Sequence, residues 1–168
     1  LERRSHVLFH ARAGPTRPCM IGDREMKRIL LVEDNPDDVE LAVRAFRGTN
    51  PTLDIEIAHD GPEALAALLG SNGQPPPPVL PSLVLLDLKL PRLDGFEVLK
   101  RIRADSRTRF LPVVILTSSV EPGDLMNAYW LGANSYIRKP LSFQDLIDAA
   151  GRIASYWLQL NELPSRPM

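Results

Sequence analysis

The sequence predicts an α/β protein with a five-stranded parallel sheet and helices on both of its faces. Three observations support this prediction. Short apolar runs of strand length alternate with segments whose apolar residues recur at helical spacing, which is typical of βαβ units. Most of these runs are apolar throughout, as expected of strands that are covered on both faces. Right-handed crossovers between such strands give a doubly wound sheet.

The first elements follow from Arg28 onward. A strand is predicted over Arg28 to Val32, and Asn35-Pro36 then begins a helix as an N-cap followed by a proline at the first helical position. This helix is expected to end near Gly48. Alternation of apolar and polar residues from Leu53 to Ile57 predicts a second strand at or near a sheet edge.

The middle of the chain continues the pattern. Asp60 precedes Gly-Pro and opens a second helix that is expected to run through Leu69. Four consecutive prolines, residues 75–78, predict an extended surface loop. A central third strand is predicted over Leu83 to Leu86, and a third helix follows Gly95.

The last elements have equally clear boundaries. Pro112 opens the fourth strand and Pro122 the fourth helix. The fifth strand is predicted over Ser135 to Arg138. Ser142 is a suitable N-cap for a last helix that is expected to end near Tyr156.

Composition bounds the function. The chain has 168 residues with a formal net charge of -1, so no global field favours nucleic acid or an anionic membrane surface as a partner. No apolar run approaches the ~20 residues that cross a bilayer. The single cysteine, Cys19, excludes an intramolecular disulfide, and we expect a soluble protein of a reducing cytosol.

We predict three parts of the chain. Residues 1–27 contain Arg and Pro without an apolar period, and are expected to be a disordered or artificial extension. Met20 and Met26 are both plausible native starts. Residues 28–157 form the folded domain, and residues 158–168 a C-terminal tail.

Polar residues follow four of the predicted strands at the point where each strand ends. In a parallel sheet these ends meet at one edge, where ligands bind. Crowded carboxylates would repel one another and have raised pKa values unless a cation lay among them. Mg²⁺ is the natural cation, because it binds one or two carboxylates and leaves room for a phosphate. The residues are Glu33, Asp34, Asp87, Thr117 and Lys139.

With these motifs the chain resembles the receiver domains of response regulators in two-component signalling. The resemblance spans about Lys27 to Trp157 and lies in residues 32–36, 86–95, 116–119 and 139–140. More narrowly, the segments 35–40, 132–136, 156–158 and 161–164 resemble single-domain receivers of bacterial phytochrome histidine kinases.

The resemblance implies a flavodoxin-like sheet with strand order 2-1-3-4-5 and assigns roles to the polar residues. Asp87 would accept a phosphoryl group from a sensor histidine kinase. Lys139 and Thr117 would contact that phosphoryl group, and a cis bond would precede Pro140. The Mg²⁺ ligands would be Glu33, directly or through water, Asp34, Asp87 and the backbone carbonyl of Lys89.

The resemblance also implies an output. Thr117 would move toward the phosphoryl group and Tyr136 would rotate inward, changing the surface of the fourth helix, fifth strand and fifth helix. Aromatic residues on or near this surface, including Trp130, favour homodimerisation through it. No effector domain is recognised after Trp157. Lys89 and the residue two beyond Thr117, Ser119, predict slow self-dephosphorylation.

Three other functions stay open at this point. A Mg²⁺-dependent phosphohydrolase with an aspartate nucleophile also places a carboxylate after a strand, but such enzymes typically have a second Asp where Lys89 stands. A nucleotide-binding module would need a glycine-rich loop after the first strand, where Asn35-Pro36 lies instead. A receiver-like binding module that is never phosphorylated is the remaining alternative.

Overall fold

The computed structural model describes residues 27–71, 73, 75–162 and 164. The predicted extension, apart from Lys27, and the end of the predicted tail lie outside the described residues. The strands are β1 Arg28–Val32, β2 Asp54–Ala58, β3 Leu83–Leu86, β4 Val113–Thr117 and β5 Ser135–Arg138. The α-helices are α1 Pro36–Thr49, α2 Gly61–Leu69, α3 Gly95–Ala104, α4 Pro122–Trp130 and α5 Phe143–Ser155.

The five strands form one parallel sheet in the order β2-β1-β3-β4-β5. This order and the five helices confirm the predicted fold. β2 lies at an edge, as its alternating sequence indicated. Strand order reverses between β1 and β3, so their carboxyl ends flank the crevice in which ligands of such sheets bind.

Two separate apolar cores cover the sheet, one on each face. Successive residues of a strand point to opposite faces, so Ile29 and Leu31 of β1 join one core while Leu30 and Val32 join the other. The first core packs against α1 and α5, and the second against α2, α3 and α4. Burial on both faces explains the continuous apolar runs of the central strands, and each fully buried leucine contributes about 2 kcal/mol.

Side-chain caps fix where most helices begin. The Asn35 side-chain oxygen accepts hydrogen bonds from the backbone N–H groups of Asp37 and Asp38 at 2.9 and 3.4 Å. Asp60, Asp94 and Ser142 cap α2, α3 and α5 in the same way. Each cap satisfies a backbone donor that the first helical turn leaves unpaired. The helices that start at the site edge therefore have defined first turns.

The C-terminal end of the domain differs from the prediction. The last helix was expected to end near Tyr156, but α5 continues directly into a π-helical turn, Tyr156–Leu160. Leu158 in this turn is buried in the same core as α1 and α5. No helix among the described residues is long and apolar enough to cross a membrane.

Candidate functional site

The carboxyl edge of the sheet holds the predicted site residues in place through backbone hydrogen bonds. The Asp87 N–H donates to the Val32 carbonyl at 3.0 Å, and the Glu33 N–H donates to Ala58 at 3.0 Å. These bonds extend the sheet pairing by one residue beyond β1 and β3. Asp87 and Glu33 are consequently buried, with 5% and 3% of their surface exposed, whereas Asp34 is exposed.

The start of α3 lies directly against Asp87. A Cβ atom on Gly95 would lie 2.2 Å from the Asp87 backbone oxygen, closer than any real contact. The Gly95 N–H donates to the Leu88 carbonyl at 3.0 Å, and the Leu88 N–H donates to the Asp87 side chain at 2.7 Å. Only glycine permits this approach, so Gly95 shapes the loop that orients the Asp87 carboxylate.

Three carboxylates converge at this edge. One side-chain oxygen from each of Glu33, Asp34 and Asp87 lies within 4.8 Å of the other two. Carboxylate oxygens are the ligands that hard divalent cations prefer, and an exposed member leaves solvent access for bound water and phosphate. The residues present therefore fit a divalent metal. The side chain of Lys89 is exposed, and its carbonyl as a further ligand stays a prediction.

Lys139 neutralises part of this charge. It follows β5, and its backbone N–H donates to the Thr117 carbonyl at 2.8 Å. Its Nζ donates to Glu33 Oε2 at 2.5 Å, to Asp38 Oδ2 at 2.7 Å and to Asp87 Oδ2 at 3.3 Å. All three donors of the ammonium group are thus used by carboxylates.

The prediction of a cis peptide bond before Pro140 is wrong. No peptide bond among the described residues is cis. Lys139 nonetheless reaches the carboxylates, because the end of β5 beside β4 already directs it to this edge. The expectation came from the family resemblance alone and had no support from the residues themselves.

Burial and charge act on the pKa values in opposite directions. Burial raises the pKa of Glu33, and the hydrogen bond and charge of Lys139 only partly offset this effect. Burial by itself lowers the pKa of Lys139, but hydrogen bonds to Asp38 and Glu33 and the charge of Asp87 outweigh it, so the pKa is raised. Lys139 is therefore a permanent cation at neutral pH.

Thr117 is the last residue of β4, and Tyr136 lies in the adjacent strand β5. Thr117 is fully buried, and its hydroxyl oxygen accepts a long hydrogen bond of 3.3 Å from the Ser119 N–H. The Tyr136 hydroxyl donates to the Ser119 carbonyl at 3.4 Å. Burial and the nearby Asp124 carboxylate raise the pKa of Tyr136. Both side chains are thus tied to the loop that follows β4.

Sequence reasoning missed two carboxylates near the site. Asp38, in the first turn of α1, binds Lys139, and Asp124, in the first turn of α4, accepts a 2.5 Å hydrogen bond from the Ser119 hydroxyl. Both first turns lie at the site edge, because α1 follows the end of β1 and α4 follows the end of β4. The sequence does not show which side chain in each turn points inward, because Asp37 and Asp38 are adjacent and chemically identical.

Known proteins are similar to this chain in sequence. The sequence profile of the response regulator receiver domain matches residues 29–151. The probable methanogenesis regulatory protein FilR2 of Methanothrix harundinacea is 46% identical over 81% of this chain and 86% of its own length. The response regulator Rcp1 of Synechocystis is 36% identical over 83% of this chain and 94% of its own length.

Solved structures agree with the sequence relatives. The phosphorylated cyanobacterial phytochrome response regulator RcpA has a TM-score of 0.72 and 36% identity, over 83% of this chain and 99% of its own. The Mn²⁺-bound form of Rcp1 also gives 0.72, at 35% identity and the same coverage. The bacteriophytochrome response regulator AtBRR gives 0.65 at 42% identity, over 82% of this chain and 99% of its own. This chain belongs to the response regulator receiver domain family.

Proposed function

We propose that this protein is a single-domain response regulator that accepts a phosphoryl group on Asp87 from the phosphohistidine of a sensor histidine kinase. One observation supports this role above all others. A buried aspartate at the carboxyl edge of the sheet lies 3.3 Å from a lysine Nζ and within 4.8 Å of two further carboxylates. This arrangement combines a nucleophile, a cation for the phosphoryl oxygens and a divalent metal site.

The transfer itself requires little covalent machinery from the protein. A carboxylate oxygen of Asp87 attacks phosphorus, the P–N bond of the phosphohistidine breaks, and its electron pair stays on the imidazole nitrogen. Phosphoryl transfer depends mainly on positioning and on neutralising the charge of the phosphoryl oxygens. Lys139 and the Thr117 hydroxyl supply hydrogen-bond donors for those oxygens, and exposed Ser118 leaves an approach open.

We assign the metal site to Glu33, Asp34, Asp87 and the Lys89 carbonyl, with Mg²⁺ as the physiological ion. When bound, the ion would neutralise charge between the carboxylates and the phosphoryl oxygens. The exposed carboxylate of Asp34 suits an ion that keeps several water ligands. The relative Rcp1 has a structure in a Mn²⁺-bound form, which supports the binding of a divalent metal by this chain.

The switch that we propose starts at Thr117. Its hydroxyl is held by the Ser119 N–H in the unphosphorylated protein. Movement of Thr117 toward a phosphoryl group on Asp87 would draw the β4–α4 loop with it, and Tyr136, which donates to the Ser119 carbonyl, would follow inward. Phosphorylation would thereby shift an equilibrium between two packings of this loop.

The output would be homodimerisation through α4, β5 and α5. Trp130 and Tyr129 of α4 are 83% and 50% exposed, and Phe143 at the start of α5 is 37% exposed. Exposed aromatic side chains are enriched at interfaces because they bury a large area with little loss of entropy.

The phosphodonor that we propose is a bacteriophytochrome-type kinase, because relatives of this chain are named as phytochrome response regulators. Our proposal places the transfer in the cytoplasm.

Catalysis on other substrates is not part of this proposal. The position two residues after Asp87, where an aspartate-nucleophile phosphohydrolase carries its acid, is the exposed lysine Lys89. Ser119, whose hydroxyl donates to Asp124, is neither a carboxamide nor a carboxylate that would orient a hydrolytic water. We therefore expect self-phosphorylation from small phosphodonors and slow self-dephosphorylation as the only chemistry.

Intact mass after incubation with Mg²⁺ and acetyl phosphate tests the proposal. We expect the wild type to gain one phosphoryl group in a Mg²⁺-dependent reaction and Asp87→Asn to gain none. Size-exclusion chromatography of the same samples should show a shift toward a dimer for the phosphorylated wild type alone. Asp54→Asn, which removes an exposed carboxylate far from the edge, is the matched control and should behave as wild type.

Other outcomes would point to the alternatives. Rapid hydrolysis of acetyl phosphate without an adduct would favour a phosphohydrolase. Absence of both adduct and hydrolysis, with a folded protein, would favour a binding module that is never phosphorylated. An adduct that survives in Asp87→Asn would place the acceptor elsewhere.

A further inference from the structure

Lys139 has one partner that belongs to neither the phosphoacceptor nor the metal cluster. Asp38 Oδ2 accepts a hydrogen bond from Lys139 Nζ at 2.7 Å, shorter than the 3.3 Å contact between Lys139 and Asp87. Asp38 is not one of the three carboxylates whose oxygens converge within 4.8 Å. Its bond to the lysine therefore does not depend on whether a metal occupies the cluster.

The other short contact of Lys139 is of a different kind. Glu33 Oε2, at 2.5 Å, belongs to the converging cluster, and its second oxygen already accepts the Asn35 N–H at 3.1 Å. A cation in the cluster would compete with Lys139 for Glu33 oxygen. The ammonium would then keep Asp38 as its one carboxylate partner outside the reacting group, and one of its donors would become free for a phosphoryl oxygen.

We infer that Asp38 is a positioning residue that holds Lys139 at the site when Glu33 turns to the metal, so that the lysine meets the phosphoryl group on Asp87. The inference rests on the proposed function. A lysine side chain has four rotatable bonds and orders poorly unless it is anchored. Because Asp38 anchors Lys139, the lysine side chain loses its conformational entropy when the protein folds and not when the phosphoryl group binds.

Asp37 offers a matched control. It lies beside Asp38 in the first turn of α1, carries the same charge and is exposed, but it makes no contact with Lys139. The variants Asp37→Asn and Asp38→Asn therefore change net charge and the helix N-terminus equally. Any difference between them reports the contact with the lysine.

The experiment measures binding of beryllofluoride, a phosphoryl analogue, in the presence of Mg²⁺ by 19F NMR. We expect Asp38→Ala to weaken beryllofluoride binding about tenfold, the scale of one hydrogen bond to a charged group. Asp38→Asn keeps an acceptor oxygen and should restore part of the loss. The beryllofluoride affinities of Asp37→Ala and Asp37→Asn, and the Mg²⁺ affinities of all four variants, should stay within about twofold of wild type.

A second arm separates positioning from folding. If Asp38 acts through Lys139, Asp38→Ala should have no further effect in a Lys139→Met background, where the residual beryllofluoride affinity should be unchanged. The same tenfold loss in that background, or equal affinities of Asp38→Ala and Asp37→Ala, would overturn the inference. Failure of wild-type protein to bind beryllofluoride would instead overturn the proposed function, and this inference with it.

Discussion

Two partly buried cations, at opposite edges of the same sheet, each bind three oxygen acceptors and do so in different ways. At the carboxyl edge, Lys139 donates to Glu33, Asp38 and Asp87. At the amino edge, Arg103 donates to the Gly132 carbonyl, the Leu111 carbonyl and the Asn134 side chain, each at 2.8 Å. The acceptors of the lysine are all charged, whereas those of the arginine are all neutral.

This difference separates a reactive site from a structural one. The guanidinium is a rigid planar fork, so three neutral acceptors at fixed positions tie α3 to the loops before β4 and β5. The pKa of Arg103 is lowered by burial, but the group remains charged at any working pH. Around Lys139 the carboxylates outnumber the cation. A bound metal or phosphoryl group would therefore change which carboxylates the lysine contacts.

The largest expected effect comes from removing the lysine at the carboxyl edge. Lys139→Met should slow phosphorylation by acetyl phosphate about 1,000-fold, because it removes the charged donor that meets the phosphoryl oxygens. The initial rate of adduct formation by intact mass measures this. Lys100→Met, which removes an exposed lysine of α3, should leave the rate unchanged. A rate for Lys139→Met within about tenfold of wild type would refute the assigned role.

The second largest effect comes from removing the arginine at the amino edge. Arg103→Met should lower the free energy of unfolding by about 3 kcal/mol, because three acceptors lose a donor. Urea unfolding followed by circular dichroism measures this loss. The neighbouring Arg101 is exposed and pairs with Glu97 of the same helix, so Arg101→Met should change stability by less than about 0.5 kcal/mol. If the two variants unfolded alike, Arg103 would not be the structural cation that the geometry indicates.

A smaller effect concerns the stability of the carboxylate cluster in the absence of metal. Asp87→Asn should raise the stability of metal-free protein by about 1 kcal/mol, because it removes one of three mutually repelling carboxylates while Lys139 keeps two partners. Added Mg²⁺ should then stabilise the wild type but not the variant. Thermal melts with EDTA and with Mg²⁺ measure both effects, and a Mg²⁺ response in Asp87→Asn would contradict the assigned metal site.

The smallest effect concerns an ordinary surface ion pair at the amino end of β1. Arg28 and Glu56 lie 3.4 Å apart with 30% and 40% of their side chains exposed. Glu56→Gln should cost no more than about 0.5 kcal/mol, because solvent screens such pairs. The same urea assay measures it. A larger loss would mean that solvent does not screen this exposed pair, and that exposed ion pairs contribute to stability as the partly buried cations do.

The sequence was sufficient for the elements and for predicting that Glu33, Asp34, Asp87 and Lys139 lie together. Strand and helix boundaries followed from apolar runs and from caps such as Asn35 and Asp60, because these signals are local in the chain. The π-helical turn after Ser155 was not predicted, since its boundary depends on the packing of Leu158 against the core. The cis bond expected before Pro140 came from resemblance and proved wrong.

The sequence by itself determined that acidic, hydroxyl and basic side chains would follow parallel strands and so meet at one edge of the sheet. Only the tertiary structure decided which partners each cation has. Asp38 and Lys139 are 101 residues apart, and Arg103 and Asn134 are 31 apart. Such contacts depend on how helices pack on the sheet and which side chains then point inward, and no local pattern in the chain encodes that geometry.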